Sequence, residues 1–282
     1  MKYAKVAQKS SEWLTLRNNF ITASNVYKLF DKKEDNYIEY LKEKISGISS
    51  FKGNDATNFG EIFEPVAREV YKYLSGEHVE EFGLITNDDL PYCAVSPDGV
   101  TESDRLLEIK CPYTRQITGT VPYGYYHQIQ LQLAVCDCDE CDFFECKFKS
   151  ISEDEYKAKL KILEVSSNFM CLCSTYNFNV ECYMNGYPNT INNISTFTRY
   201  TNTNSLHHEV LTDIPLNGYW IKNNNPMYYE LEFVSLQTIQ RNPQWINLHR
   251  KDLNETIPFV QACRKDPRLL DNLLNTKSIC EL

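Results

Sequence analysis

The residues best placed to do chemistry are Ser96-Pro97-Asp98-Gly99 and, after nine residues that follow Asp98, the run Glu108-Ile109-Lys110-Cys111-Pro112. If Leu106 to Lys110 is a strand, Glu108 and Lys110 project from one face while Ile109 points into the core. A hairpin whose first strand ends at Asp98 lays that carboxylate beside Glu108. Two carboxylates held side by side repel unless a cation neutralises them, and such an oxygen-rich donor set suits Mg2+ or Mn2+. Lys110 beside the ion can orient a water or stabilise charge developing on a phosphate. The same spacing serves a plain hairpin with a turn aspartate and a surface Glu–Lys pair, because these residue types are common on surfaces. Spacing alone leaves both readings open.

The elements that must hold these residues follow from periodicity. The first ~45 residues read as three short helical pieces, with Ser11 and Thr22 as candidate caps. From about Asn58 to Leu74, Phe63, Val66, Ala67, Val70 and Leu74 fall on one helical face, and Gly76 supplies a stop. Strands are expected over Phe82–Thr86, Tyr92–Val95 and Leu106–Cys111, then a helix from about Tyr125 to Val135. A strand over Phe143–Phe148 and a helix over Glu153–Val165 come next. The Asn-, Thr- and Ser-rich stretch 185–208 reads as a loop insertion. Met227–Ile239 is strand-like, and Gln244–Cys263 is a final helix. This order predicts an α/β (α+β) protein, a single domain over 1–282, in which 226–282 adds a C-terminal strand and helix.

Five blocks in register give these residues a family context: Trp13-x3-Arg17 with Ile21-Thr22-Ala23-Ser24; Gly60-x3-Glu64 with Ala67 and Tyr71; Ser96-Pro97-Asp98-Gly99; Leu107-Glu108-Ile109-Lys110-Cys111-Pro112; and Tyr125-x2-Gln128-x-Gln130. Together they resemble the lambda-exonuclease-like, or YqaJ-type viral recombinase, family of PD-(D/E)xK nucleases, over a catalytic core of about 13–150. The tail from Tyr228 to Lys265, with Arg241-Asn242-Pro243-Gln244-Trp245, resembles, more loosely, the distal part of relatives encoded by large DNA viruses. The resemblance implies a restriction-endonuclease-like core, a mixed central sheet flanked by helices. It implies Asp98, Glu108 and the Ile109 backbone carbonyl as metal ligands, with Glu64 completing the metal and water network. Lys110 would position the nucleophilic water and Gln128 would hold Lys110 or that water, while Arg17 and Ser24 would receive a 5′-terminal phosphate. By spacing alone Glu64 is an i, i+4 partner of Arg68, Gln128 an exposed helix amide, Arg17 a solvated charge and Ser24 a second cap. Gln130 lies about 200° further round its helix than Gln128, so the two cannot share a role.

Composition bounds the rest. The 282 residues are 42% hydrophobic, enough for a core, and a formal charge of −9 argues against a protein that coats nucleic acid along its whole surface. No stretch reads as a membrane span or secretory signal, so an intracellular protein in host cytoplasm or nucleus is expected. Eleven cysteines, an odd number, favour free thiols. Cys136-x-Cys138-x2-Cys141-x4-Cys146, with Cys171-x-Cys173 downstream, invites a zinc reading, against which Cys136 ends a helix and Cys146 falls inside a strand. The five histidines show no ligand spacing, and His127 is expected on a helix surface.

The expectation is an Mg2+-dependent 5′→3′ exonuclease acting on double-stranded DNA ends in viral replication or recombination. Its alternatives are an endonuclease on the same scaffold and a catalytically silent DNA- or protein-binding module. A single-strand annealing protein is a candidate partner and homo-oligomerisation a candidate assembly.

Overall fold

The computed structural model describes residues 2–4, 10–30, 35–48, 53–163, 169–176, 179–185, 198–201 and 226–280. The chain opens with β1 (Lys2–Ala4), α1 (Ser11–Arg17), β2 (Ile21–Thr22) and a 3-10 helix over Ala23–Leu29, then α2 (Asp35–Ser46) and α3 (Asp55–Ser75). Short strands β3 (Val79–Glu80), β4 (Leu84–Thr86), β5 (Cys93–Val95) and β6 (Gly99–Thr101) precede β7 (Leu106–Lys110). Helix α4 (Tyr123–Cys136), β8 (Glu140–Ile151) and α5 (Glu153–Leu163) follow. The chain then runs through β9 (Met170–Tyr176), β10 (Asn179–Asn185), β11 (Thr198–Thr201) and β12 (Met227–Gln240), ending in α6 (Pro243–Lys265) and α7 (Arg268–Cys280).

Local chemistry sets the boundaries. Asn54 caps α3, its side-chain oxygen accepting from the Thr57 N–H at 3.0 Å, and Gly76 ends it at φ 73° with its N–H on the Lys72 carbonyl. Ser10, not Ser11, caps α1, accepting from the Trp13 N–H at 3.2 Å. Thr22 stands before the 3-10 helix but makes no side-chain cap bond. The amino-terminal stretch is therefore not purely helical: Ile21 and Thr22 pair in parallel with Cys93 and Ala94 of β5.

Two sheets result. A small one has the order β1-β4-β5-β2, and a larger mixed one the order β11-β10-β9-β12-β8-β7-β6-β3. β7 and β8 run parallel, which a tight turn cannot achieve, and α4 supplies the crossover. Side chains alternate along β7 and β8. Leu106, Cys141 and Phe143 join the core beneath α4 and α6, while Leu107, Ile109, Phe144, Cys146 and Phe148 join the core beneath α3. The Tyr71 hydroxyl donates to Asp142 Oδ2 at 2.6 Å and pins α3 to β8.

β9, β10, β11 and α7 depart from the sequence expectation. β9 and β10 form an antiparallel pair where only a Cys-x-Cys motif stood out. Thr198–Thr201, inside the stretch read as a loop insertion, is a strand paired with β10. The rest of 185–208, apart from Asn185 at the end of β10, lies outside the described residues. α7 adds a helix beyond the one taken as final. For β9, β10 and β11 the physical reason is shared: their partners in the sheet, not their own periodicity, make them strands.

Candidate active site

β7 and α4 build the centre of the site. Glu108 is 1% exposed, so the surface Glu–Lys reading of β7 does not apply. Its Oε1 accepts from Lys110 Nζ and, at 2.6 Å, from Gln128 Nε2. Its Oε2 accepts from Gln132 Nε2 at 2.7 Å. A buried carboxylate costs several kcal/mol unless satisfied, and three donors hold this one. Gln128 is therefore neither exposed nor on Lys110: it holds the glutamate.

Asp98 sits in the short passage from β5 to β6, where the chain leaves the small sheet for the large one. Its Oδ2 accepts from the Ile109 N–H at 2.7 Å, which lays the carboxylate across the middle of β7. The next residue has to be glycine, because a Cβ on Gly99 would stand 2.2 Å from Val79 Cγ1 on the neighbouring strand β3. Burial holds the Asp98 carboxyl well above the usual carboxylate range, and the charges of Glu108 and Glu64 add to that, while Lys110 and the Ile109 N–H oppose it. Burial works against the Lys110 ammonium, but Glu108 and Asp98 more than offset it and raise its pKa. Its Nζ also lies 5.0 Å from the centre of the Tyr125 ring.

Glu64 reaches the same cleft from α3. Its Oε1 is 2.9 Å from Arg68 Nη2, the i, i+4 pair that spacing predicted, and Arg68 also meets Glu81 at 2.7 Å. The ion pair and the cleft position coexist. Asp98 and Glu108 thus bear on one ammonium, Glu64 adds its charge to Asp98, and the elevation of Asp98 is the electrostatic mark of these neighbours. Such a set of hard oxygen donors fits a divalent cation.

Arg17 and Ser24 line the other part of this groove, whose volume is about 1060 Å3. Arg17 Nη2 donates to Ser24 Oγ at 3.2 Å, and its guanidinium carbon lies 4.0 Å over the Trp13 ring. Burial pushes its pKa down to about 10, which leaves it cationic at neutral pH. Ser24 does not open an α-helix; it is the second residue of the seven-residue 3-10 helix, so the guanidinium and the hydroxyl, not a helix terminus, face the groove. Beneath them Lys44 Nζ donates to the carbonyls of Arg17 at 3.0 Å and Phe20 at 2.7 Å, fixing the turn that carries the arginine. Burial, with Arg17 and Arg264 nearby, lowers Lys44 to about 8.

The remaining candidates fall elsewhere. Gln130 ties α4 to the chain beyond β12: its Nε2 donates to the Gln240 carbonyl at 2.9 Å and its Oε1 accepts from the Asn242 N–H at 2.8 Å. His127 is buried, not on a surface, and its Nδ1 accepts from Trp245 Nε1 at 2.8 Å. Cys136, at the end of α4, and Cys141 join the core between α4 and β8, while Cys146 faces the opposite core, because positions 141 and 146 lie on opposite faces of one strand. Those four cysteines do not converge among the described residues.

Sequence reasoning missed Gln132 and Arg115. Gln132 is one helical turn from Gln128 and therefore shares its face, a signal that was available. Arg115 is ion-paired with Glu145, fully buried on β8 beside Lys110, and nothing in the local sequence marks that partnership.

Comparison with known proteins agrees with this geometry. Residues 12–139 match the model of the YqaJ-like viral recombinase domain. An uncharacterized protein of Acanthamoeba polyphaga mimivirus is 33% identical over 176 residues, covering 55% of this chain and 31% of that protein, so the chain spans about a third of the length of this relative. The fold superposes on an alkaline exonuclease from Laribacter hongkongensis with a TM-score of 0.57 and 19% identity, over 94% of this chain and 100% of that one. The complex of the same enzyme with dAMP gives 0.56 and 20%, again over 94% and 100%. The chain thus shares the fold of this alkaline exonuclease, and its residues 12–139 are similar to the YqaJ-like viral recombinase domain.

Proposed function

We propose that the chain is a divalent-metal-dependent deoxyribonuclease, a 5′→3′ exonuclease on double-stranded DNA ends that serves recombination or replication. The observation that carries this reading is one groove holding two unlike ends. Asp98 and Glu108 flank Lys110 and Glu64 lines the same groove, as do Arg17 and Ser24. The family match over 12–139 and the alkaline exonuclease neighbours support it.

Asp98, Glu108, Glu64 and the Ile109 carbonyl would hold Mg2+, for which Mn2+ could substitute. When bound, the ion polarises the scissile phosphate and lowers the pKa of a bound water. The protein's own residues do the rest. Gln128 and Gln132 fix the Glu108 carboxylate in one rotamer, so that its oxygens need no reorganisation during the reaction. Lys110, a cation locked between Glu108 and the Tyr125 ring, is positioned to steer the water and to offset charge on the phosphate. Arg17 offers a guanidinium fork and Ser24 a hydroxyl to a terminal phosphate, which favours digestion from an end over internal cutting. Since the groove offers these groups to phosphate and sugar, cleavage is expected to be largely independent of sequence. The nuclease is taken as one unit over 1–282, with α6 packing on α4. Among the described residues no helix is long and apolar enough to cross a membrane.

The test is digestion of end-labelled linear duplexes, with and without a 5′ phosphate, in Mg2+ and in chelator, beside closed circular DNA. Metal-dependent release from the 5′ end, faster with the phosphate, is expected. Cutting of circles would favour the endonuclease reading. Wild-type hydrolysis by Asp98→Ala or Lys110→Ala would end the proposed mechanism.

A further inference from the structure

A second cluster of ligand-type side chains lies outside the groove. Cys171 and Cys173 are two residues apart on β9 and therefore share a face, and Cys182 on β10 is the direct cross-strand partner of Cys173. All three thiols are buried, at 2%, 0% and 0% exposure, in the core beneath α3. The sulfur of Cys171 lies 3.2 Å from that of Cys182 and 4.0 Å from that of Cys173, and all three lie within 4.8 Å of one another. Sulfurs about 2.3 Å from a tetrahedral metal stand about 3.8 Å apart, so the spacing matches three corners of such a site. The strand register sets Met184 opposite Cys171, on the same face as Cys182, and it is 3% exposed within the same core. Four sulfur-bearing residues thus form a two-by-two block on one hairpin.

We propose that Cys171, Cys173 and Cys182 bind a structural zinc ion, with Met184 as the residue whose register suits the fourth position. Sulfur donors of this kind select thiophilic d10 ions and reject the Mg2+ suited to the carboxylate groove, so the two sites take different metals. Charge favours Zn2+ over Cu+. Three thiolates leave one net negative charge with a divalent ion and two with a monovalent one, and the surrounding core is apolar. Binding exchanges up to three thiol protons for the ion, with no change of oxidation state. The ion would clamp β9 to β10 at the outer part of the large sheet, where α3 packs on the pair. The motif differs from the one the sequence suggested. Only Cys171-x-Cys173 was visible, and its partner Cys182 arrives through strand pairing.

The experiment uses the full chain, expressed with zinc, freed of loose metal on a chelating resin and measured by plasma mass spectrometry. About one zinc per chain is expected, in keeping with one structural site. Asp98→Ala and Cys138→Ser should retain it, whereas Cys182→Ser and Cys171→Ser should lose it. Because a buried cysteine variant can misfold, the wild-type chain provides a second readout. Loaded with Co2+, it should show the intense near-ultraviolet thiolate-to-cobalt band, which added Zn2+ then abolishes. A wild-type chain without zinc, a folded Cys182→Ser chain that keeps it, or a cobalt spectrum without the thiolate band would each overturn the assignment.

Discussion

Helix α4 shows the same residue types performing different work on its two sides. On one side Gln128 and Gln132 donate to the two oxygens of Glu108. On the other, Gln130 and His127 bond to the Gln240 carbonyl, the Asn242 N–H and the Trp245 indole, and join α4 to β12 and α6. All four side chains are buried, so burial does not separate them. What separates them is what they face. One side meets a charge centre that must be held still, the other meets backbone groups that would be left unpaired. A polar residue inside a helix buried nearly all round serves whichever neighbour its 100° increment presents to it.

The sharpest way to break the contrast is to remove the centre that the first side serves. Glu108→Gln and Asp98→Ala are expected to lower duplex hydrolysis at least about a thousandfold, with the far-ultraviolet circular dichroism spectrum unchanged. A folded variant within tenfold of wild type would place the chemistry elsewhere. On the second side, Gln130→Leu strands the Asn242 N–H and the Gln240 carbonyl and should cost about 1–3 kcal/mol in urea unfolding. Its hydrolysis rate under strongly native conditions should stay near wild type; a large fall in rate with full stability would show that the two sides are not separate.

Gln132→Leu sharpens the comparison from the first side. Its Oε1 is buried without a hydrogen-bond partner, so the variant removes an orphaned acceptor while depriving Glu108 Oε2 of its donor. About a tenfold loss in kcat with little loss of stability is expected; the reverse pattern would make Gln132 a packing residue. Arg17→Ala should erase most of the advantage of a 5′-phosphorylated over a 5′-hydroxyl duplex, roughly tenfold, while leaving hydrolysis of the unphosphorylated end almost untouched. Equal losses on both substrates would exclude end recognition by this residue.

The smallest effect is a pH dependence. Burial, with the neighbouring His249, lowers His127 to about 4, below the ordinary histidine value of about 6.5. The folded state therefore binds fewer protons than the unfolded chain between those values. This contribution is complete above about 6.5 and is lost as pH falls toward 4. Thermal melts at pH 7 and pH 5 should show wild type losing stability at the lower pH and His127→Phe losing less. His249, lowered in the same direction, leaves a residual slope. Identical slopes in the two proteins would remove His127 from the account.

That Glu108 and Lys110 share a face was legible in the sequence because alternation along a strand fixes relative orientation without tertiary knowledge, whereas Asp98, expected to end the first strand of the hairpin, stands just before it. α3 was legible because its apolar periodicity and the stop at Gly76 are local signals. Arg115 was not, since its importance lies in Glu145 on a parallel strand 30 residues away. The β9–β10 pair was not, because its cysteines read as a spacing motif while the residue that completes their cluster comes from the next strand. Gln132 was within reach but lay outside the motif that drew attention to Gln128.

The path from Arg17 to Asp98 is short and stiff. Arg17 stacks on Trp13, whose indole N–H donates to Ser96 Oγ at 3.2 Å; Ser96 is anchored to the Gly83 carbonyl and lies two residues before Asp98. If Arg17 grips the terminus and Asp98 marks where the strand is cut, the interval between grip and cut is a dimension of the scaffold. A nuclease built this way would carry its own ruler, releasing fragments of uniform size whatever the bases between.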